Sequence, residues 1–396
     1  MIHHTHHAQD SYYLDEGIWT RGRNALVFIA LISWVACIAG YFVDQTRFFQ
    51  SYLFGFLFSV SIPMGAMFFV MIGYLTGSAW SVPMRRFAEN IMVSIGIGVV
   101  LFVPIALGLD HIYEWTKPNV IQDSSKAFYL SPKFFLIRAA IYFLVWIIVS
   151  TRIYKNSIDQ DKTKDVKQMH NISSWSAPGL LFTFLTVSLA AFDWNMSLNS
   201  HWYSTMYGIY FFAGGGLAFM ATWTLICIGF RNKGVLKHTI NVEHYHDLGK
   251  WMLALVVFWA YIAFSQYLLI WYANIPEETV WFQARKQGSW AYWSLALVFV
   301  HFVIPFLILI FRATKRNFQM LTIMAIWLLV AHFIDTYFQV MPTFQKAGFS
   351  LHWLDFASLF ACASVFGLVF WSRLRKNALL PIGDPRFEQG LNFENI

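Results

Sequence analysis

The feature of this sequence that most constrains its fold is a series of apolar runs, each about 20 residues long. A helix of that length crosses a hydrocarbon layer of roughly 30 Å. Lipid offers no hydrogen-bond partners, so such a run must satisfy its own backbone groups as a helix. The runs predict an all-α integral membrane protein with about ten transmembrane helices, at residues 24–43, 51–76, 91–109, 133–154, 177–197, 204–230, 250–271, 290–311, 318–340 and 351–373.

Composition supports this class and excludes others. Only 12% of the residues are charged, against roughly 25% in a soluble globular domain. The Lys and Arg side chains lie at the ends of the apolar runs, which argues against nucleic-acid binding. The three cysteines lie inside apolar runs, so a disulfide framework, a zinc knuckle and a covalent haem motif are not expected. Short loops predict one membrane domain over residues 24–373, with polar tails at 1–23 and 374–396.

The distribution of basic residues predicts the orientation. Of the 28 Lys and Arg residues, 20 fall on the side of the N-terminus. The other 8 are Arg47, Lys117, Lys126, Lys133, Arg138, Arg285, Lys286 and Lys346. Cytoplasmic loops carry the excess of Lys and Arg. With an even number of spans, both termini are therefore expected in the cytoplasm.

Ionisable residues inside the spans are the candidates for function, because each costs at least roughly 2.5–3.5 kcal/mol at mid-bilayer. Most fall in the outer halves of their spans, and the inner halves carry almost none. This distribution favours a hydrated half-channel for protons that opens outward, away from the cytoplasm. Its candidate residues are Arg138, Asp193, His301, His332, Asp335 and Asp355.

The best proton-carrying candidates are His332 and Asp335, which lie three residues apart and hence on one helix face. An imidazole beside a carboxylate can hold and pass a proton near neutral pH. The pair could also simply satisfy each other. Asp355 has Arg138 as a candidate counter-ion, whereas Asp193 could merely terminate a helix. His301 and His332 could bind haem b, but one such pair is weak support for a cytochrome.

Other residue patterns keep two interpretations open. The aromatic residues towards the outer interface, from Trp194 to Trp293, form either an interfacial belt or a ring-lined cleft for a flat ligand. Gly214–Gly216 predict close helix packing. The segment 244–247 either caps the seventh span or contacts a partner subunit. Four histidines at the N-terminus, at positions 3, 4, 6 and 7, suit metal binding or an unstructured tail.

Several longer phrases resemble one family. They are TGSAW at 76–80, RRFAE at 85–89, FFLIRAAIYF at 134–143, FDWNMS at 192–197, HWYST at 201–205, HDLGK at 246–250 and FWAYIAFSQYLLIWYANIPEE at 258–278. On these phrases the chain resembles the ActF-type, NrfD-like membrane subunit of bacterial alternative complex III, a quinol:electron acceptor oxidoreductase. The resemblance covers nearly the whole chain.

The resemblance implies two four-helix bundles, spans two to five and six to nine, with the first and tenth spans at the periphery. It also implies a bacterial cytoplasmic membrane and partner subunits that hold iron–sulfur clusters and c-type haems. Those partners are a second NrfD-like subunit, an iron–sulfur subunit, c-type cytochrome subunits and a terminal oxidase. The complex oxidises menaquinol or ubiquinol. The second NrfD-like subunit is mainly associated with the catalytic quinol site.

For this chain the resemblance implies a scaffold with a proton route and no metal or covalent cofactor of its own. Quinone contacts, if this chain makes them, are expected at Gln266, Tyr267 and Trp271. Two alternatives remain open at this point. One is a secondary transporter that uses buried carboxylates, for which broken helices at mid-membrane are typical. The other is a purely structural membrane anchor.

Overall fold

A computed structural model describes residues 10–395 of the chain. Within them there are ten helices that are long and apolar enough to cross a membrane. We number them α1 to α10: Glu16–Val43, Gln45–Leu75, Val82–Leu107, Pro132–Thr163, Val166–Leu198, Tyr207–Asn232, Val242–Ala273, Trp290–Leu309, Phe318–Thr343 and Trp353–Leu374. The predicted all-α, multi-pass membrane class is confirmed. The N-terminal histidines at positions 3, 4, 6 and 7 lie outside the described residues.

Helices α1 and α10 place both ends of the bundle on one side. The indole N–H of Trp371 donates to the carbonyl of Trp19 at 2.8 Å, and the indole of Trp19 donates to Trp371 at 3.2 Å. We call this side the terminal side and the opposite one the far side. Odd-numbered helices run towards the far side, and even-numbered helices run back.

The helices form two four-membered rings of packed neighbours, α2–α5 and α6–α9, and α2 packs on α6 between them. Helices α1 and α10 pack on each other and, through α10, on α2. The expected arrangement of two bundles with peripheral first and tenth helices is found. The outward faces are apolar: Phe28, Leu31 and Val35 of α1 are all more than half exposed, as lipid contact requires.

Small residues set the distance between the two bundles. A side chain at Gly215 would have its Cβ 2.9 Å from the Ser61 carbonyl oxygen, and one at Gly65 would meet the Gly215 carbonyl at 2.7 Å. Only glycine therefore allows α2 and α6 to approach this closely. The predicted packing role of the Gly214–Gly216 stretch is confirmed.

Two spans change their helical geometry in the interior. Helix α3 contains a 3₁₀ stretch at Ser94–Ile97, and α8 contains a π-helical stretch at Val298–Val303. Such irregular turns often accompany functional sites. The π stretch carries His301, whereas the 3₁₀ stretch carries no ionisable residue.

Several helices on the terminal side are longer than the hydrophobic runs predict. Helix α3 begins at Val82 rather than at 91, α5 at Val166 rather than at 177, and α7 at Val242 rather than at 250. Hydrophobicity marks only the part of a helix that lipid surrounds, so polar helical ends are missed. Asn241, not Asp247, caps α7, because its side chain accepts from the backbone of Glu243 and His244.

Candidate functional site

The second bundle buries one carboxylate among neutral hydrogen-bond donors. Asp335 lies near the far end of α9 and is fully buried. Its Oδ1 accepts a hydrogen bond from the Tyr210 hydroxyl of α6. Its Oδ2 accepts from the Trp259 indole of α7 and from the Gln339 amide, both at 3.1 Å. No described cation lies within ion-pairing distance of Asp335. Three donors can stabilise the carboxylate, yet none forbids its protonation.

His332 lies one turn before Asp335, and the two side chains do not form the predicted direct pair. Its Nε2 is 2.9 Å from the Ser61 hydroxyl of α2, whereas its Nδ1 has no hydrogen-bond partner among the described residues. Gly214 of α6 makes room for both groups, because a Cβ there would be 3.2 Å from Asp335 Oδ2 and from His332 Nδ1. The two groups share a pocket and hydrogen-bond to different helices.

His301 reaches the same region from α8. Its ring stacks on the Trp259 indole, with ring centres 3.7 Å apart and planes inclined by 18°. Neither ring nitrogen of His301 has a hydrogen-bond partner within residues 10–395. The π-helical turn places this residue against α7. His301, Trp259, Asp335 and His332 therefore converge in the core of the second bundle.

A cleft of about 730 Å³ lies beside this group, between α7, α8 and the short helix Pro276–Arg285. It falls in the range of roughly 300–1,000 Å³ typical of small-molecule sites. Its rim is apolar and exposed, with Tyr261 and Phe264 each more than 60% accessible. Its wall includes Tyr210, Val257, Trp259, Gln266, Tyr267, Trp281, Phe282, Arg285, Lys286, Ser294, Leu295, Val298, Phe302 and Phe338.

The cleft reaches Asp335 indirectly, through the two wall residues that donate to it. Tyr210 and Trp259 each have one side on the cleft and a polar hydrogen aimed at the Asp335 carboxylate. A ligand in the cleft would thus lie one side chain away from a buried acid. The exposed rim faces the direction in which lipid surrounds the bundle, so the ligand would enter from the membrane.

Two polar residues of the cleft wall are buried. Gln266 is 3% exposed, and its Oε1 has no hydrogen-bond partner in the described part of the chain. Arg285 is 2% exposed, stacks on the Trp281 ring at 3.5 Å and donates to the carbonyls of Trp281, Phe338 and Gln339. The cleft therefore offers one free acceptor and one fixed cation.

The sequence-based quinone contacts fall in different places. Gln266 and Tyr267 line the cleft. Trp271 does not line it and is 59% exposed. The aromatic residues of the far side also divide: Tyr272 and Tyr292 are exposed, whereas Trp194 and Trp290 are buried. Several of these rings therefore pack in the protein interior or line the cleft, whereas an interfacial belt would expose them.

Arg138 and Asp193 form a bidentate ion pair in the first bundle. Arg138 Nε and Nη2 donate to the two Asp193 oxygens at 2.8 and 2.9 Å, and the Tyr142 hydroxyl adds a third bond at 2.7 Å. The guanidinium also donates to the Tyr129 carbonyl and stacks on the Tyr129 ring. Arg138 is therefore not the counter-ion of Asp355, as its position in the sequence suggested.

Asp355 instead pairs with Arg47 of α2 at 2.7 Å. It also accepts from the Ser51 hydroxyl at 2.6 Å, from the Tyr337 hydroxyl and from the His352 backbone N–H. These bonds tie α2, α9 and the first turn of α10 together. The sequence missed Arg47 because it lies just outside an apolar run, before the predicted start of the second span.

A hydrogen-bonded bridge joins the two bundles on the far side. The Asn195 amide donates to Gln339 Oε1 at 2.9 Å, and the Gln339 amide donates to Asp335. Asn195 lies two residues after Asp193. The sequence does not single out Gln339, Tyr210 or Trp259, because an uncharged residue in an apolar span gives a much weaker signal than a charged one. Their spacing from Asp335 on three different helices is visible only in the fold.

The terminal side also buries ionisable groups, contrary to the expectation that the inner halves carry almost none. Arg85, Arg86 and Glu89 of α3 are at most 1% exposed. Arg86 pairs with Glu89 at 2.8 Å and with Asp161 of α4, while Arg85 pairs with Asp384 of the C-terminal segment. Burial alone would raise the pKa of Asp384, but the Arg85 and Arg386 guanidiniums lower it to about 2. The apolar run predicts a start of α3 only at residue 91, so the sequence did not indicate that these charged residues are buried in a helix.

Among residues 10–395, no group of three or more His, Cys, Asp or Glu side chains could hold a metal ion. No protein-family model and no curated protein matches this chain.

Proposed function

We propose that this chain is a cofactor-free membrane subunit of a quinol-oxidising respiratory complex of the alternative complex III class. The observation that carries the proposal is the lipid-facing cleft whose inner wall, Tyr210 and Trp259, donates to the buried Asp335. Quinols are carried in the lipid phase, so a site for them must open sideways to the membrane. A site for a water-soluble solute would open to one aqueous side instead.

The chemistry requires that quinol lose two protons and two electrons to become quinone. The electrons would go to iron–sulfur clusters and c-type haems, which partner subunits would hold. This chain would accept the protons and release them. Gln266 Oε1 is the free acceptor for a quinol hydroxyl, and Asp335 is the acid behind the wall. Tyr210 can release its hydroxyl proton to Asp335 while it takes one from the cleft.

Release towards the far side then follows the polar groups next to Asp335. Gln339 and Asn195 extend these polar groups to the end of α5. Water beside the two amides would carry the protons, because a side-chain amide does not itself take up a proton. His332 and His301 lie on the other side of the carboxylate, closer to the middle of the bundle. With the terminal side in the cytoplasm, as the basic residues indicate, the far side is the periplasm of a bacterial cell, and protons are released there.

Purification through an affinity tag on this chain, from native membranes, tests the proposal. Iron–sulfur and c-type haem subunits should co-purify and give quinol:electron acceptor activity. A variant that disturbs the fold tests whether this chain is needed for assembly. Gly215→Leu should separate α2 from α6 and lower the yield of assembled complex. A lone chain that carries a solute across vesicle membranes would instead identify a secondary transporter. A complex with full activity after this chain is removed would identify a structural anchor.

A further inference from the structure

A second cavity, of about 230 Å³, lies on the terminal side of the protein. It shares no lining residue with the cleft between α7, α8 and the short helix Pro276–Arg285, which we call the outer cleft from here on. It opens between the ends of α2 and α6 and the beginnings of α3 and α7. Its wall includes Phe69, Gly73, Trp80, Arg85, Trp223 and Trp251, together with the hydroxyls of Ser78 and Ser81.

Four aromatic rings stand in the cavity wall. Trp80 and Trp223 lie with ring centres 6.1 Å apart, and Phe69 meets Trp251 edge-on at 5.0 Å. The Trp223 indole N–H is already used, since it donates to the Met84 carbonyl at 3.1 Å. Walls of this kind favour a flat ring, because aromatic faces and edges pack on one another at such distances.

One buried charged side chain in the wall is incompletely hydrogen-bonded. Arg85 is 1% exposed, yet its Nη1 has no hydrogen-bond partner within the described residues. The guanidinium is held in place over the Tyr74 ring at 4.1 Å and by its pairs with Asp384 and Glu89. The hydroxyls of Ser78 and Ser81 are 3.0 Å apart and bond to each other. The free polar group of the cavity is therefore a donor, and a ligand must supply an acceptor.

The surrounding charges decide between a neutral ligand and an anion. Arg85, Arg86 and Arg386 are balanced by Glu89, Asp161 and Asp384, which pair with them directly. The cavity thus has a donor without net positive charge. A phosphate or carboxylate would have to displace one of these carboxylates, whereas a carbonyl oxygen needs only the unused N–H.

We propose that this cavity is a second binding site, on the terminal side, for a neutral flat ring with a carbonyl acceptor, the chemistry of an oxidised quinone head group. Arg85 Nη1 donates to one carbonyl, and the rings of Trp80, Trp223 and Trp251 enclose the head group. The site goes beyond the quinol oxidation proposed for the outer cleft. It suits the oxidised form, because a quinone carbonyl needs only the Arg85 N–H, whereas both hydroxyl hydrogens of a quinol would have to compete for the Ser78 and Ser81 oxygens, which already bond to each other.

Gly73 of α2 permits a test that leaves the ion pairs of Arg85 intact. An added Cβ would meet nothing closer than the Ser81 hydroxyl, at 3.7 Å. A larger side chain at this position therefore enters the cavity without a backbone clash. Gly73→Leu also replaces glycine inside a helix, which stabilises helices. The matched control is Gly229→Leu on α6, where an added Cβ would have nothing within 4 Å.

The experiment is photolabelling of the complex in native membranes with an oxidised azidoquinone that carries a short isoprenoid tail, followed by mass spectrometry. Label is expected on peptides that contain Trp80 or Trp251. Gly73→Leu should reduce it about tenfold or more, and Gly229→Leu should not change it. An unlabelled quinone should compete more strongly than its quinol.

Two results would overturn the inference. One is labelling near Trp80 and Trp251 that Gly73→Leu leaves unchanged. The other is a co-purifying phospholipid that Gly73→Leu removes and that quinone does not displace. Labelling of the outer cleft, on peptides around Tyr261 and Phe264, is measured in the same samples. Because Gly73 does not touch that cleft, failure of the second site and failure of the proposed quinol oxidation give separate results.

Discussion

Asp193 and Asp335 occupy comparable places in the two bundles, each near the far end of the last helix and each fully buried. Both accept a hydrogen bond from a tyrosine, Tyr142 in one case and Tyr210 in the other. They differ in the remaining partners. Asp193 has a bidentate arginine, whereas Asp335 has an indole and an amide.

This difference separates a structural carboxylate from one that can accept a proton. Protonation of Asp193 would leave Arg138 as a buried charge without its counter-ion, which is costly. Protonation of Asp335 leaves only neutral donors, one of which must turn away. The cleft also lies beside Asp335 and not beside Asp193. Proton chemistry is therefore expected in the second bundle, and a fixed helix contact in the first.

The largest expected effect is on stability in the first bundle. Arg138→Met leaves Asp193 buried with only Tyr142, and should lower the free energy of unfolding by about 3–5 kcal/mol. The double variant Arg138→Met/Asp193→Leu should recover most of this loss, because it removes both charges. Unfolding of the purified protein in detergent measures the effect, with Lys162→Met, an exposed change on α4, as the control.

A single variant that unfolds like the control would contradict this assignment. So would a double variant no more stable than Arg138→Met. Either result would mean that the ion pair does not hold α4 to α5, and the contrast with Asp335 would lose its basis.

The next effect is on turnover in the second bundle. Asp335→Asn keeps the size of the side chain and an oxygen for Tyr210, but removes the group that accepts a proton. General-base groups contribute at least about 100-fold, so quinol oxidation should fall by about that factor while the complex assembles. Asp110→Asn, an exposed far-side change, is the control. Turnover equal to that of the control would remove Asp335 from the proton path.

Removal of the same hydroxyl from each site gives a more direct comparison. Tyr142→Phe should lower the free energy of unfolding by about 1.5 kcal/mol, since a hydrogen bond to a charged group is lost, and leave turnover unchanged. Tyr210→Phe should lower turnover about tenfold, because Tyr210 stands between the cleft and Asp335. Stopped-flow quinol oxidation and detergent unfolding, measured on both variants, distinguish the two roles. Equal effects of the two variants on turnover would contradict them.

The sequence predicted the ten helices because lipid imposes a length and a polarity on each run. It also selected every buried carboxylate of the far side, since charge in an apolar run is conspicuous. It could not pair them: Arg138 was assigned to Asp355, because nothing in the sequence shows that α4 packs on α5 and α10 on α2. Neutral donors such as Gln339 and Trp259 had no signal until the fold brought them to Asp335.

The smallest effect concerns the cleft, which is the other difference between the two bundles. Gln266 and Trp271 both lie near the far end of α7, and the sequence selected both as quinone contacts. Only Gln266 lines the cleft. Gln266→Leu removes the free acceptor for a quinol hydroxyl and should raise the KM for quinol about 3- to 10-fold, as expected for one hydrogen bond. Trp271→Leu should leave KM unchanged, because its ring lies outside. If instead Trp271→Leu raises KM and Gln266→Leu does not, quinol binds elsewhere, and Asp335 loses the neighbour that distinguishes it from Asp193.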